Sequence, residues 1–288
     1  MKIINLALLA CVASFVACNS EKSSKTASDE NKEGAVADNA PAYVVEKVSY
    51  ADSVVVDSCK AVAECSIDYL KSDKSDDALV ASVDKWIRHM LDDSDATVAM
   101  GEPLAKNFVE KNIKSGGDDL RELSEIYKND NSGPALKMSY EYSYKVSPLE
   151  LTPDYVTMMF TSYVYLGGAH GGSAAIGQSF DTRNGRKLDL DMFKEGTTDK
   201  VLQIVKKGIM EQYFEVRTES ELRDILLLNN EPFPFPQNPP YFEDNGVCFL
   251  YQQYEIAPYA AGMPACVIPF ETLRPYFTDD VLQMLGLD

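Results

Sequence analysis

Two segments in the middle of the chain alternate apolar and polar side chains, and this alternation constrains the fold more than any other feature of the sequence. Residues 155–165 show a period close to two, and so do residues 137–146, where one face carries Met138, Tyr140, Tyr142, Tyr144 and Val146. A period of two is that of a β-strand with one buried face. The short connection between the segments, residues 147–154, predicts that they are neighbouring antiparallel strands.

Other segments fall into groups of strands and groups of helices. Strand-forming residues dominate 43–56, 61–69, 247–256 and 265–268, and apolar residues recur at helical spacing in 79–90, 102–113, 118–127, 198–213, 220–228 and 278–285. Ser115-Gly116-Gly117 predicts a break between two helices, and Asn184-Gly185 predicts a type I′ hairpin turn. This grouping predicts an α+β fold with antiparallel sheets and packed helices.

The first seventeen residues have the layout of a secretory signal. Lys2 is their only charged residue, and an apolar run follows as far as Ala17. This run is shorter than the roughly 20 residues that span a bilayer, and it ends in small residues, as a cleaved signal does. Residues 1–17 are therefore predicted to be removed.

Cys18 follows this signal, and residues 15–18 resemble the bacterial lipobox, in which the cysteine is acylated and becomes the new N-terminus. Residues 8–11 match the lipobox pattern more closely, but cleavage before Cys11 would leave a very short apolar core. An ordinary signal followed by an incidental cysteine is the other alternative. We predict cleavage before Cys18 and anchoring of the exported chain to a membrane, the outer membrane in particular, by lipid on Cys18.

Residues 18–41 are Ser, Lys, Glu, Asp, Asn and Ala with almost no large apolar side chain, which predicts a disordered tether. The whole chain carries a formal net charge of −18. This acidity makes nucleic acid a poor partner and would attract a cationic one. It is equally consistent with a surface that is acidic only for solubility.

Four cysteines follow Cys18, namely Cys59, Cys65, Cys248 and Cys266. In an oxidising compartment an even number permits disulfides, with three possible pairings for four cysteines. Cys248 and Cys266 flank a turn-like segment, so a cross-strand bridge between them is geometrically feasible. The spacing of cysteines and histidines matches no zinc site, and we predict neither a metal nor a cofactor.

The second half of the chain resembles a known extracytoplasmic domain of unknown function. The resemblance is carried by residues 163–171, by the 181–193 hairpin and by residues 254–262. Domains of this type form the outer, lysozyme-binding part of RsiV-type anti-sigma factors and the non-catalytic N-terminal part of PdaC-type deacetylases. The resemblance implies binding, of lysozyme or of a wall component such as peptidoglycan, by a lipoprotein of the kind found in Bacteroidetes.

Residues 65–70 and the helix that follows them resemble the companion domain that usually precedes this one, although Leu70 stands where a proline is more usual. Together the two resemblances imply two intimately associated subdomains. The N-terminal α+β subdomain would cover residues 42–135, and the C-terminal one residues 136–288. The cytoplasmic segment and spanning helix of an anti-sigma factor are not recognised in this sequence.

His170 is the sharpest candidate for chemistry, because glycines on both sides would leave it exposed. It is one of two histidines in the chain, and no GxSxG motif supplies a nucleophile for it. A turn that needs glycine explains the same residues. We therefore keep two hypotheses, a non-enzymatic envelope binding protein and an envelope hydrolase that uses His170 on wall glycan or ester.

The proline-rich segment 231–240 excludes a helix or a central strand. With the residues that follow, it presents four aromatic side chains as candidate partner contacts, namely Phe233, Phe235, Tyr241 and Phe242. Exposed aromatic residues are effective anchors at interfaces. The alternative is a loop that folds back over the core.

Overall fold

The computed structural model describes residues 43–74, 76–130, 137–229 and 231–288. The predicted signal, the tether and Cys18 lie outside these residues. Among the residues described, no helix is both long enough and apolar enough to cross a membrane.

A six-stranded sheet forms the larger half of the fold and confirms the predicted α+β class. Its strands, in spatial order, are β1 (Val44–Val56), β2 (Cys59–Lys71), β3 (Ser139–Leu151), β4 (Tyr155–Tyr165), β5 (Gly172–Asp181) and β6 (Lys187–Leu188). Neighbours are antiparallel except β2 and β3, which are parallel. Parallel neighbours need a long crossover, and helices α1 (Ala78–Met90) and α2 (Glu102–Asp130) lie within this one. The proposed subdomain boundary at residue 135 falls within the same crossover.

Helix α2 runs without interruption through Ser115, Gly116 and Gly117, so the predicted break is wrong. These glycines serve close packing instead. A Cβ at Gly116 would lie 2.8 Å from the Tyr142 hydroxyl oxygen, and one at Gly117 would lie 3.1 Å from Val54 Cγ1. The helix can therefore lie directly on β1, β2 and β3, where a larger side chain would hold it away.

A three-stranded antiparallel sheet organises the second core. It consists of β7 (Tyr241–Glu243), β8 (Gly246–Leu250) and β9 (Ala265–Pro269), and it packs with helices α3 (Thr198–Gly208), α4 (Glu219–Ile225), α5 (Phe270–Leu273) and α6 (Asp279–Met284). Helix α3 continues into a π-helical turn, Ile209–Tyr213. The division of the chain into two subdomains at residue 135 stays a prediction.

Two buried hydroxyls join β7 to the larger sheet. Thr157 Oγ1 on β4 donates to the Phe242 carbonyl at 2.9 Å, and the Phe242 amide donates to Ser179 Oγ on β5 at 2.7 Å. Both hydroxyl-bearing residues are fully buried. These bonds satisfy main-chain groups of β7 that water cannot reach, as buried polar groups require.

The β5–β6 hairpin is present as predicted, but its turn is not type I′. That type needs positive φ at two successive residues, whereas only Gly185, with φ of +70°, has it here. Asn184 keeps negative φ, and the Gly185 amide donates to the Asp181 carbonyl at 2.8 Å. The connection is thus a longer loop that closes on one left-handed glycine.

Asp181 holds this loop from a fully buried position. Its carboxylate accepts hydrogen bonds from the Arg183 amide at 2.8 Å and from Arg183 Nη2 at 2.6 Å. Burial by itself raises the pKa of Asp181, but the hydrogen bonds and charge of Arg183 outweigh burial, and the pKa lies below its ordinary value. Asp181→Asn should lower the free energy of unfolding by about 2 kcal/mol at pH 7.

The pH dependence of this loss has a definite sign. A carboxylate whose pKa is depressed by folding stabilises the protein above its unfolded pKa, about 3.9, and this contribution disappears as pH falls through the folded pKa. The difference between Asp181→Asn and the parent should therefore shrink below about pH 4. Urea unfolding from pH 7 to pH 3 measures it, with the exposed Asp95→Asn as control. A difference that stays constant with pH would contradict this account.

Candidate functional site

The loop between β4 and β5 presents His170 at one end of the larger sheet. Gly167 and Gly168, with φ of +83° and +96°, give the loop a course that other residues rarely adopt. The exposed His170 ring stacks on Tyr259 with the ring centres 3.8 Å apart and the planes 18° from parallel. The glycine cluster thus places an aromatic ring against a second loop, residues 251–264, that is remote in sequence.

Tyr254 extends this stack into solvent. Its ring centre is 5.8 Å from that of Tyr259, and its side chain is 54% exposed. Its backbone has φ of +65°, which costs a residue other than glycine roughly 1–2 kcal/mol. Strain of this kind persists only where the surrounding contacts impose it.

Glutamine side chains impose that course by binding the free edge of β5. The side-chain oxygen of Gln252 accepts from the Ala175 N–H at 3.1 Å, and its side-chain nitrogen donates to the Ala175 carbonyl at 2.7 Å. A neighbouring strand would form the same pair of bonds. Gln253 accepts from the Ser173 N–H at 2.8 Å. The two residues before Tyr254 are therefore fixed to the sheet, and Tyr254 turns outward.

Tyr163 on β4 lies against Gly171, the residue after His170. A Cβ at Gly171 would lie 2.5 Å from the Tyr163 ring, so the glycine lets this ring pack on the loop backbone. Tyr163 is 36% exposed. We call Tyr163, His170, Tyr254 and Tyr259 the aromatic surface.

Three of the four residues of the aromatic surface, namely Tyr163, His170 and Tyr259, lie in stretches of chain without charged side chains. Neither residues 155–180 nor residues 256–270 contain Asp, Glu, Lys or Arg, although 25% of the whole chain is charged. Tyr254 is followed by Glu255, whose carboxylate accepts from the main-chain amides of Gln237 and Gln252 at 2.7 Å each. On β3 beside Tyr163, the exposed Glu141 and Lys145 carry opposite charges, so the charges nearest to this ring are of both signs.

Acidic residues collect instead at the opposite end of the larger sheet. A cavity of about 510 Å³ is lined there by Asp154, Asp244 and Glu271, among others. Tyr155 at this end of β4 is eight residues from Tyr163, roughly 26 Å at the rise of a strand. We call this the acidic cavity.

The contacts of His170 are with the main chain and with one aromatic ring. Its Nδ1 lies 3.0 Å from the Gly171 carbonyl oxygen, and its ring stacks on Tyr259. No hydrogen bond or ion pair joins it to a carboxylate or hydroxyl of the described residues. Within the same residues, no group of three or more His, Cys, Asp or Glu is placed to hold a metal ion.

Of the four aromatic residues predicted as partner contacts, two are core residues and two are half-buried. Phe242 is fully buried and Tyr241 is 5% exposed, because both belong to β7. The Phe233 ring packs edge-on against the Tyr251 ring. The Phe235 ring packs at a tilt against the Phe249 ring. The segment folds back over the core, which excludes Tyr241 and Phe242 as exposed contacts, whereas a partner contact at the half-buried Phe233 and Phe235 stays a prediction.

The cross-strand disulfide is not formed either. The register of β8 and β9 offsets Cys248 and Cys266 by one residue, so their side chains leave opposite faces of the pair. Cys59 and Cys65 lie on β2, roughly 20 Å apart along the strand. Burial raises the pKa of the Cys65, Cys248 and Cys266 thiols to about 12, which keeps them protonated and unreactive.

Sequence reasoning nominated His170 but not its aromatic neighbours. Tyr163, Tyr254 and Tyr259 all lie within the segments that carry the family resemblance, which is the one signal that could have identified them. Their meeting depends on the edge of β5 and on the positive φ of Tyr254, and neither feature has a local sequence pattern.

Comparisons with known proteins agree with this fold. Residues 190–271 match the family described as "Protein of unknown function (DUF3298)". A DUF3298 family member from Bacteroides fragilis is similar in structure, with a TM-score of 0.73 at 19% identity, covering 87% of this chain and 99% of that one. A DUF3298 family protein from Pseudomonas aeruginosa gives a TM-score of 0.55 at 17% identity, covering 84% and 97%. No curated protein matches.

The matched residues include Tyr254 and Tyr259 but not Tyr163 or His170. The aromatic surface is thus built partly inside and partly outside that stretch. The chain therefore contains a segment that matches the DUF3298 family and shares its overall fold with these two proteins.

Proposed function

We propose that this protein is a non-enzymatic binding protein of the cell envelope, held at the membrane by lipid on Cys18, that binds its ligand through the aromatic surface. The family resemblance and the signal-like N-terminus support the envelope location, with the outer membrane as the membrane concerned. Lysozyme and peptidoglycan are the two candidate partners.

The exposed and strained Tyr254 is the observation that carries the proposal. Exposed tyrosines supply much of the affinity at binding surfaces, and backbone strain tends to collect at functional sites. The side chain of Tyr254 is 54% exposed and its φ is +65°. Neither the exposure nor the strained backbone stabilises the folded protein. Binding accounts for both. The contacts of His170 give the hydrolase hypothesis no comparable support.

The test measures how much protein co-sediments with insoluble peptidoglycan and how much is retained on immobilised lysozyme. We expect binding to at least one, and a loss of about tenfold in affinity for Tyr254→Ala. Leu151→Ala is the matched control, because Leu151 is 50% exposed near the far end of the larger sheet. This variant should bind as the parent does.

Three results would contradict the proposal. The first is no binding to either material at low salt. The second is equal binding by Tyr254→Ala and the parent, which would exclude the aromatic surface. The third is release of soluble fragments from peptidoglycan by the parent but not by folded His170→Ala, which would make the protein a hydrolase.

A further inference from the structure

We infer that the aromatic surface binds an uncharged glycan, with sugar rings stacked on the exposed tyrosines. The inference rests on the proposed function, because it names the ligand class of the same surface. It favours a saccharide over a cationic protein such as lysozyme.

The distribution of charge is the first step. A cationic ligand gains affinity from carboxylates within about 10 Å, the screening length at moderate salt. The carboxylate of Glu255, next to Tyr254, has both oxygens bonded to main-chain amides. The carboxylate of Glu141, beside Tyr163, shares the exposed face of β3 with the positively charged Lys145. An anionic ligand would meet the net charge of −18 on the whole chain. The binding of a neutral ligand depends on neither sign of charge.

The shape and rigidity of the rings are the second step. The faces of aromatic rings carry partial negative charge, and they attract the polarised C–H groups on one face of a pyranose. His170 and Tyr259 are already stacked, and Tyr254 lies at 33° to Tyr259. Gln252 and Gln253 hold the loop to β5 before any ligand arrives. Binding therefore costs little ordering of side chains.

Hydrogen-bonding groups beside the rings are the third step. A glycan needs polar partners for its hydroxyl groups, since stacking alone does not orient it. The Tyr254 and Tyr259 hydroxyls and the Gln253 amide nitrogen have no hydrogen-bond partner within the described part of the chain. These groups border the stacking faces and can bind sugar hydroxyls.

The experiment titrates the protein with chitohexaose, cellohexaose and maltohexaose by calorimetry, with a hexamer of galacturonate as the charged comparison. At least one neutral hexasaccharide should bind, and the galacturonate hexamer should not. Tyr254→Ala should weaken binding about tenfold, whereas Tyr254→Phe, which keeps the ring, should stay within about threefold. Affinity should change less than about twofold between low and high salt.

The outcomes separate this inference from the proposed function. If no neutral hexasaccharide binds but peptidoglycan or lysozyme does, and Tyr254→Ala weakens that binding, the glycan inference fails and the proposed function stands. Lysozyme binding that falls steeply with salt and is lost in Asp154→Asn would assign the partner to the acidic cavity and overturn the inference. Binding to none of these materials would overturn both.

Discussion

Replacing Gly185 with alanine should lower the free energy of unfolding by about 4 kcal/mol, one of the two largest effects that we expect in this protein. Gly185 has φ of +70°, and a Cβ there would lie 2.3 Å from the Ala78 carbonyl oxygen at the start of α1. Main-chain atoms cannot move aside as a flexible side chain can. The hairpin would have to separate from the helix. Urea unfolding followed by circular dichroism measures the loss.

Gly196→Ala provides a matched control for this change. Gly196 has φ of +74°, but a Cβ there would meet nothing within 4 Å. This variant therefore carries the backbone penalty alone, about 1 kcal/mol. If both variants lost the same free energy of unfolding, the clash with Ala78 would add nothing to the backbone penalty, and the expectation for Gly185→Ala would be wrong.

Phe242→Ala should cost about 4 kcal/mol of stability, the usual range for a fully buried phenylalanine. The Phe242 ring packs edge to face on Tyr155 and Phe270, at centre distances of 5.1 Å and 4.8 Å. Truncation would leave a cavity between β7, β4 and α5. The sequence suggested a partner contact at this position, so the loss should appear in unfolding experiments on the isolated protein.

Leu227→Ala is the control for Phe242→Ala. Leu227 is largely exposed, and its hydrogen bond to Ile256 uses only the main chain, which alanine retains. Its loss should stay within about 0.5 kcal/mol, as for most surface substitutions. If Phe242→Ala were as stable as Leu227→Ala, the burial of β7 described above would be wrong.

Local pattern predicted the elements of this fold well wherever side-chain period was the deciding feature. The strands at 139–151 and 155–165 are present and antiparallel. The amphipathic helix begins at Ala78 and is capped by Asp77, whose carboxylate accepts from the amides of Leu79 and Val80. The spacing of apolar residues along a segment reflects which face of the strand or helix is buried. This information lies within the segment itself, so it can be read without knowing the rest of the fold.

Glycine was the least predictable residue, because its local signal is the same for different roles. Gly116 and Gly117 resembled a helix end, yet they let α2 lie on the sheet. Gly177 gave no signal within β5, although a Cβ there would lie 2.3 Å from the Tyr241 ring. The cause in each case is a neighbour remote in sequence.

The candidate site divides in the same way. His170 could be nominated because its glycine neighbours predicted exposure, and the three motifs of the resemblance contain every residue of the aromatic surface. The sequence did not predict that the residues of the aromatic surface lie close together. The stack on Tyr259 requires two loops about 90 residues apart to be fixed side by side, and glutamine amides on the edge of β5 do this.

The sequence by itself determined the α+β class, the positions of most strands and helices and the acidity, because these follow from side-chain period and composition. Only the tertiary structure decided that β2 and β3 pair in parallel, that Phe242 is buried and that tyrosines from distant segments gather near His170. Those features depend on which distant segments come into contact. Contact between distant segments is set by the packing of the whole core and leaves no periodic trace in the chain.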